Sequence, residues 1–220
     1  MDRNTAWQIV EEQRISLSGL LAGLTPDQWL HPSLCDGWRV CDVAAHLTLG
    51  PRVGPLTATV EFVRARGNVN RLIHDTAVRR ADAVDQATVV ADLRAYASSR
   101  RHPPGTSRLD PFADVLVHGQ DIARPLGLHR PIPTEAAVVA ADRYWAMGFP
   151  FHARRRLTGL RLAATDADWT AGNGPRVEGP VAAMLLVLTG RAASLDELSG
   201  EGLPQLRVRL APQSVGPDAV

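Results

Sequence analysis

The chain has 220 residues, of which 45% are hydrophobic and 21% charged, and its formal net charge is +1. This length can bury a sizeable core in one large domain or two small ones. The near-neutral charge argues against a general nucleic-acid-binding protein and gives no reason to expect a membrane-surface protein. The sequence has no apolar run near the roughly 20 residues of a spanning helix, and its first residues lack the apolar region of a secretory signal. We therefore expect a cytoplasmic protein without nucleic-acid or membrane partners.

The two cysteines, Cys35 and Cys41, are too few for a disulfide framework in a chain of this length. Their spacing of six differs from the C-x-x-C pairs that hold structural zinc. We interpret both as reduced thiols that serve as small hydrophobic side chains.

Apolar residues at helical spacing predict that the first part of the chain is mostly helical. Prolines and glycines interrupt the pattern at residues 25–38 and 100–110, which we predict to be loops. The predicted helices cover residues 4–24, 40–50, 56–66, 84–99, 110–125 and 133–148.

The hydrophobic pattern changes in the last third of the chain. Apolar and polar residues alternate there in two short runs, as in strands, and turn-forming residues indicate a hairpin. The predicted elements are strands at 160–164 (LRLAA) and 205–210 (QLRVRL), a hairpin region at 170–179 (TAGNGPRVEG) and a short apolar helix at 180–190. The tail, residues 211–220, is expected to be frayed.

This change divides the chain into two predicted domains. Residues 1–154 form a helical domain, and residues 155–220 form a small α+β domain. The fold class is therefore mainly α.

One predicted helix carries polar residues in an unusual place. In DVLVHGQDIARPLG (residues 114–127), Asp114, His118 and Asp121 interrupt an otherwise apolar run. Residues four apart lie about 40° apart around a helix, so these three side chains form one stripe. A buried carboxylate costs several kcal/mol unless a positive charge or solvent compensates it. An acidic residue and a histidine at i and i+4 can bind one cation, whereas an ion pair on a solvated helix face is the alternative.

A metal needs at least a third ligand, and His46 is the best candidate. Its segment, CDVAAHL, surrounds the imidazole with small or apolar side chains. A histidine in such a place either binds metal or is a core residue whose hydrogen bonds are satisfied. The spacing alone leaves both readings open.

Three stretches resemble, in order, the mycothiol-dependent maleylpyruvate isomerase family, which belongs to the DinB-like metalloenzymes. They are LCDGWRVCDVAAHL (34–47), DVLVHGQDIARPLG (114–127) and GLRLAATDADWTAGNGPRVEGPVAAMLLVLTGRAASLDELSGEGLPQL (159–206). The resemblance spans about Trp7 to Leu210. It implies a DinB-like four-helix bundle followed by a small α+β C-terminal domain, in agreement with the predicted domains.

The resemblance also implies a metal site. In the family, a divalent metal, usually zinc, is held by a histidine of the first motif and by an acidic residue and a histidine four apart on a later helix. On this chain those residues are His46, Asp114 and His118. The acidic ligand is often glutamate in the family, so the shorter aspartate changes the reach of the side chain but not the type of ligand.

The chemistry that the resemblance implies uses a thiol cosubstrate, mycothiol. Three protein ligands leave coordination positions open, as in catalytic zinc sites, and a metal-bound thiol loses its proton near neutral pH. The thiolate would add to the cis double bond of maleylpyruvate, and rotation and elimination would give the trans product. In an S-transferase it would attack another small electrophile. The partners expected are therefore small molecules, and the protein is expected to be a monomer or a homodimer.

Three further residues are candidates for supporting roles. Asp121 either orients a ligand histidine or is a simple carboxylate of the helix face. Trp38 either walls the pocket, next to cofactor or substrate, or is a hydrophobic staple before the His46 helix. Arg191 is the candidate for catalytic and thiol- or substrate-binding roles in the C-terminal domain, where the resemblance implies such help; an exposed arginine at a helix end is the alternative.

A second hypothesis of another class is a non-catalytic protein that binds or senses a small molecule with the same fold. Intact candidate ligands at His46, Asp114 and His118 favour the enzyme.

Overall fold

The computed structural model describes residues 1–103, 105–107 and 109–211. Apart from Ala211, the tail that was expected to be frayed lies outside this part, as do Pro104 and Arg108 in the second predicted loop. The described chain forms two compact units, one from Met1 to Pro131 and one from Ile132 to the last described residue, Ala211. In the described residues, no helix combines the length and apolar character needed to cross a membrane.

The first unit is helical. Its helices are α1 (Arg3–Ala22), α2 (Pro26–Leu30), α3 (Val40–Leu49), α4 (Pro55–Arg64), α5 (Val69–Ala83), α6 (Gln86–Ala95) and α7 (Leu109–Ala123). The core of the unit is a four-helix bundle in which α1 and α3 each pack against both α6 and α7, while α5 packs on α3 and α4 on α5.

Two of these helices were not predicted. Residues 25–38 were expected to be a loop, but Thr25 forms a capping box with Gln28 and starts α2. The sequence of α5 is rich in charged residues and shows one fully buried side chain, Ala77, so its apolar face is narrow. Packing against α3, rather than a broad apolar stripe, therefore accounts for its place in the unit.

The second unit combines helices with a three-stranded sheet, which confirms the mainly α fold class with a small α+β part. Its elements are α8 (Thr134–Ala146), α9 (Ala153–Arg156), β1 (Arg161–Ala164), β2 (Thr170–Gly172), β3 (Arg176–Gly179), α10 (Val181–Leu188) and α11 (Leu203–Leu210). The strands lie in the order β2–β1–β3, and β1 pairs antiparallel with β2 and parallel with β3.

The division between the units falls before α8, whereas the predicted boundary lay at residues 154 and 155. Helix α8 packs closely on α10, so it belongs to the second unit. The α-helical pattern of α8 resembles that of the preceding helices, and periodicity alone does not indicate which core a helix joins.

Two predictions in the second unit were wrong in detail. The hairpin predicted at 170–179 is absent, because β2 and β3 do not pair with each other but lie on opposite sides of β1. In the connection from β2 to β3, Gly174 has a φ of +129° and lies close to the carbonyl of Gly159. The strand predicted at 205–210 is helix α11. Its buried residues, Leu206 and Leu210, are four apart, while Val208 between them is 77% exposed.

Candidate functional site

His46 and His118 lie next to each other in the first unit. Helices α3 and α7 pack together and bring the two imidazole rings to 5.1 Å between centroids, in an edge-to-face arrangement with an interplanar angle of 80°. The start of α3 is fixed by Asp42, whose carboxylate accepts bonds from the backbone and the guanidinium of Arg39. Two histidines that are 72 positions apart in sequence therefore meet in the bundle.

Asp121 orients the His118 ring. Its fully buried carboxylate lies 2.8 Å from His118 Nδ1, through Oδ2. Burial alone lowers the pKa of His118, but its hydrogen bonds to Asp121 and Cys35 outweigh this effect and raise the pKa to about 10. With Nδ1 held by the carboxylate, Nε2 is the nitrogen left for a ligand, and a metal there would have to take the place of the proton that the raised pKa favours.

His46 has the opposite electrostatic environment. Burial, with a smaller contribution from neighbouring His118, lowers the pKa of His46 to about 3. The ring is therefore neutral at pH 7 and has a nitrogen lone pair. A neutral imidazole is the form that binds metals.

Trp38 packs against both rings. Its indole centroid lies 5.3 Å from that of His46 and 6.3 Å from that of His118, and it also contacts His74 at 6.2 Å. Trp38 is buried in the turn that precedes α3. Its position next to both histidines fits a pocket wall and a packing residue equally, so its role in ligand binding stays a prediction.

Cys35 lies against His118 and Asp121, although its sequence context predicts only a small hydrophobic side chain. Its Sγ lies 3.1 Å from Asp121 Oδ2 and 3.8 Å from His118 Nδ1. The loop that carries Cys35 is tied to α7, because the Leu34 amide donates to the Asp121 carbonyl at 3.1 Å. The signal that could have found Cys35 is its place in LCDGW, inside the first family-like motif. Cys41 is buried and fits the original reading.

Cys35, His118 and Asp121 have potential ligand atoms that all lie within 4.8 Å of one another. Asp114, one turn before His118, is outside this cluster. It lines a cavity of about 480 Å³ together with His46. The structure thus brings His118 close to both His46 and Asp121, and it puts His46 and Asp114 on one cavity.

Arg14 lines the same cavity and was missed in the sequence. Ile15, the apolar residue next to it, is 51% exposed, whereas Arg14 is 5% exposed. Arg14 lies on the buried face between Val10 and Leu17. The spacing of three and four residues along that face was the available signal, but an arginine is rarely assigned to a core.

Arg191 lies in the second unit. It directly precedes a short 3-10 helix, Ala192–Glu197, and its Nη1 donates to the Thr189 carbonyl at 2.7 Å. Its guanidinium lies 5.9 Å from the centre of the Phe151 ring. These contacts fix its position, and its role toward thiol or substrate stays a prediction.

Comparison with known proteins agrees with the resemblance. The family described as "Mycothiol maleylpyruvate isomerase N-terminal domain" matches residues 10–123. Two solved structures match at 16% identity and a TM-score of 0.51, covering 91% of this chain and 93% of theirs. They are crystal structures of the mycothiol-dependent maleylpyruvate isomerase and of a histidine-to-alanine mutant of it. No curated protein matches the chain.

The matched segment runs from α1 to the end of α7 and contains Cys35, His46, Asp114, His118 and Asp121. The structural match extends over both units and reflects a shared fold. The chain belongs to the mycothiol maleylpyruvate isomerase family.

Proposed function

We propose that this chain is a metal- and mycothiol-dependent enzyme that isomerises a small electrophile or transfers the thiol to it. The family and the fold support a thiol-dependent isomerase. The observation that carries the proposal is the hydrogen-bonded pair of His118 and the buried Asp121, with the neutral ring of His46 at 5.1 Å from that of His118. A cytoplasmic location and a monomeric or homodimeric state belong to the same proposal.

The donor types of His46, Asp114 and His118 suit a divalent metal, most suitably zinc, although among the described residues their potential ligand atoms do not all lie within 4.8 Å of one another, so the side chains would have to close around the ion. A ligand histidine commonly donates its second ring N–H to a carboxylate, which fixes its tautomer and orientation, and Asp121 stands in that relation to His118. His46 is held neutral by burial. We propose His46, Asp114 and His118 as the ligands, with Asp121 as the outer partner of His118.

Cys35, His118 and Asp121 form an alternative ligand set. Asp121 Oδ2 already accepts bonds from the Cys35 thiol and lies at hydrogen-bond distance from His118 Nδ1. A metal in this cluster would have to displace both bonds inside the core. We therefore assign Cys35 and Asp121 to supporting the His118 ring.

A metal at this site would lower the pKa of a thiol that reaches it, so that the thiol reacts as a thiolate at neutral pH. The nucleophile is then the cosubstrate, and the chain itself needs no nucleophilic side chain. Asp121 keeps the proton of His118 on Nδ1, and the largely apolar cavity keeps water away from the reacting groups.

The isomerisation is balanced without an oxidant. The thiolate sulfur adds to one carbon of a cis double bond, and the electron pair of that bond moves onto the rest of the conjugated substrate. Rotation about the resulting single bond and loss of the sulfur restore the double bond in the trans form. In an S-transferase reaction the new C–S bond remains, and the displaced electron pair either takes up a proton or departs with a leaving group of the electrophile. We propose Trp38 and Arg191 as contacts for the thiol or the substrate.

The test is metal content and thiol turnover in matched variants. His46→Ala and His118→Ala are compared with His129→Ala, which changes an exposed histidine of the same unit. We expect the first two variants to lose bound metal and mycothiol-dependent conversion of maleylpyruvate or other electrophiles, and His129→Ala to keep both. Metal binding in all three variants would contradict the ligand assignment. Wild-type protein that holds no metal after purification without chelator, or that shows no thiol turnover on any electrophile, would favour the non-catalytic binding protein.

A further inference from the structure

Arg14 is a cation in the middle of an apolar helix face. It shares the buried side of α1 with Val10, Leu17 and Leu21, and 5% of its surface is exposed. Burial lowers the pKa of its guanidinium, but arginine remains protonated in proteins. A buried charge of this kind needs compensation from neighbouring groups.

The compensation comes from one side of the guanidinium. Nη1 donates to the carbonyl oxygens of Tyr96, Ala97 and Ser99 at 3.0, 3.3 and 2.9 Å. These carbonyls follow the C-terminal end of α6, where the helix dipole favours a cation. Among the described residues, no carboxylate pairs with Arg14 and the hydrogen bonds go through Nη1. A guanidinium has five N–H donors, so the side chain is held in place with donors to spare.

Arg14 lies at the wall of the cavity that His46 and Asp114 also line. Within the described chain, it is the sole arginine that lines this cavity. Another lining acid, Glu61, is paired with Arg64 and Arg79. Asp110 accepts a bond from the Ser107 amide at 2.7 Å. Arg14 is therefore a fixed cation that lines the same mostly apolar cavity of about 480 Å³ as two of the proposed metal ligands, His46 and Asp114.

We propose that Arg14 binds a carboxylate of the electrophilic substrate, so that the cavity selects small anionic electrophiles. The inference rests on the proposed function for the identity of the site. A planar guanidinium suits a carboxylate, and the apolar surroundings strengthen the attraction. One end of the substrate is bound by Arg14, which leaves the other end to face His46 and the thiol.

The test compares a charged and a neutral probe of the same shape. Maleate, a cis dicarboxylate, and its dimethyl ester are titrated calorimetrically into the full-length protein, as purified and after chelation. In Arg14→Gln we expect maleate affinity to fall about tenfold or more, as for loss of a charged hydrogen bond, while ester binding stays unchanged. Arg3→Gln, on the exposed first turn of the same helix, should behave like the wild type.

Arg14→Gln also loses the three carbonyl contacts, so its fold is checked by circular dichroism. If it does not fold, Arg14→Lys, which keeps the charge, replaces it and should bind maleate several-fold more weakly than wild type. A crystal structure of wild type with maleate should place a carboxylate at hydrogen-bond distance from Arg14. Equal affinity of wild type and variant for maleate, or a carboxylate bound away from Arg14, would overturn the inference. Metal content and thiol turnover are measured separately, so either proposal can fail alone.

Discussion

Helices α7 and α10 are both largely buried, but they are buried for different reasons. Helix α10, in the second unit, has the sequence VAAMLLVL, and seven of its eight residues are buried. Helix α7, in the first unit, buries seven hydrophobic residues and also Gln120 and Asp121, and it carries Asp114 and His118 on the same side as Asp121. Hydrophobic burial explains α10 completely.

The polar residues of α7 need another explanation. Burying a carboxylate and an imidazole costs free energy, and their mutual hydrogen bond at best offsets that cost. Apolar residues of similar size would serve stability at least as well. Burial of apolar side chains therefore accounts for α10, and the polar residues of α7 support the proposal that this helix holds metal ligands at some cost in stability.

The largest loss of stability is expected from a truncation in the core of α10. Leu186→Ala removes a fully buried side chain, and we expect a loss of about 2–5 kcal/mol in the free energy of unfolding. Chemical denaturation measures this loss. The metal content of the folded fraction should stay at the wild-type level, since Leu186 lies in the other unit. A variant that folds but loses its metal would contradict the separation of roles.

A smaller effect, on metal affinity, is expected from a substitution in α7. Asp121→Asn keeps the size of the side chain but removes the charge that holds His118 Nδ1–H. We expect metal affinity to fall about 10–100-fold, as for other carboxylates that orient ligand histidines. Competition with a chromophoric chelator measures the affinity, and Asp142→Asn, in the second unit, serves as the control. Unchanged affinity in Asp121→Asn would mean that the carboxylate does not act through His118.

The sequence carried much of the fold and part of the site. The long apolar helices, the strand at β1 and the mainly α class follow from hydrophobic periodicity. Helix α5 was missed because its charged residues leave a narrow apolar face, and its packing on α3 is a tertiary effect. The alternation of Leu206, Val208 and Leu210 with polar residues predicts a strand where the structure has helix α11. Only the burial of each residue reveals that Val208 faces solvent.

At the site, local spacing singled out Asp114, His118 and Asp121, and the structure confirms that His118 and Asp121 interact. Arg14 and Cys35 were missed for opposite reasons. An arginine is expected at the surface, so the sequence alone does not predict that Arg14 lies on the apolar face of α1. A single cysteine in a loop carries no specific signal, and its contact with Asp121, 86 positions away, depends on how the loop before α3 meets α7.

We propose that a divalent metal binds between His46, Asp114 and His118, with Asp121 behind His118. A crystal structure of the zinc-loaded protein, with anomalous data at the zinc edge, tests this arrangement. We predict one peak about 2.0–2.2 Å from a nitrogen of each imidazole and an oxygen of Asp114, with Cys35 Sγ beyond bonding distance. A peak about 2.3 Å from Cys35 Sγ and bonded to Asp121, or none near His46, would contradict the account.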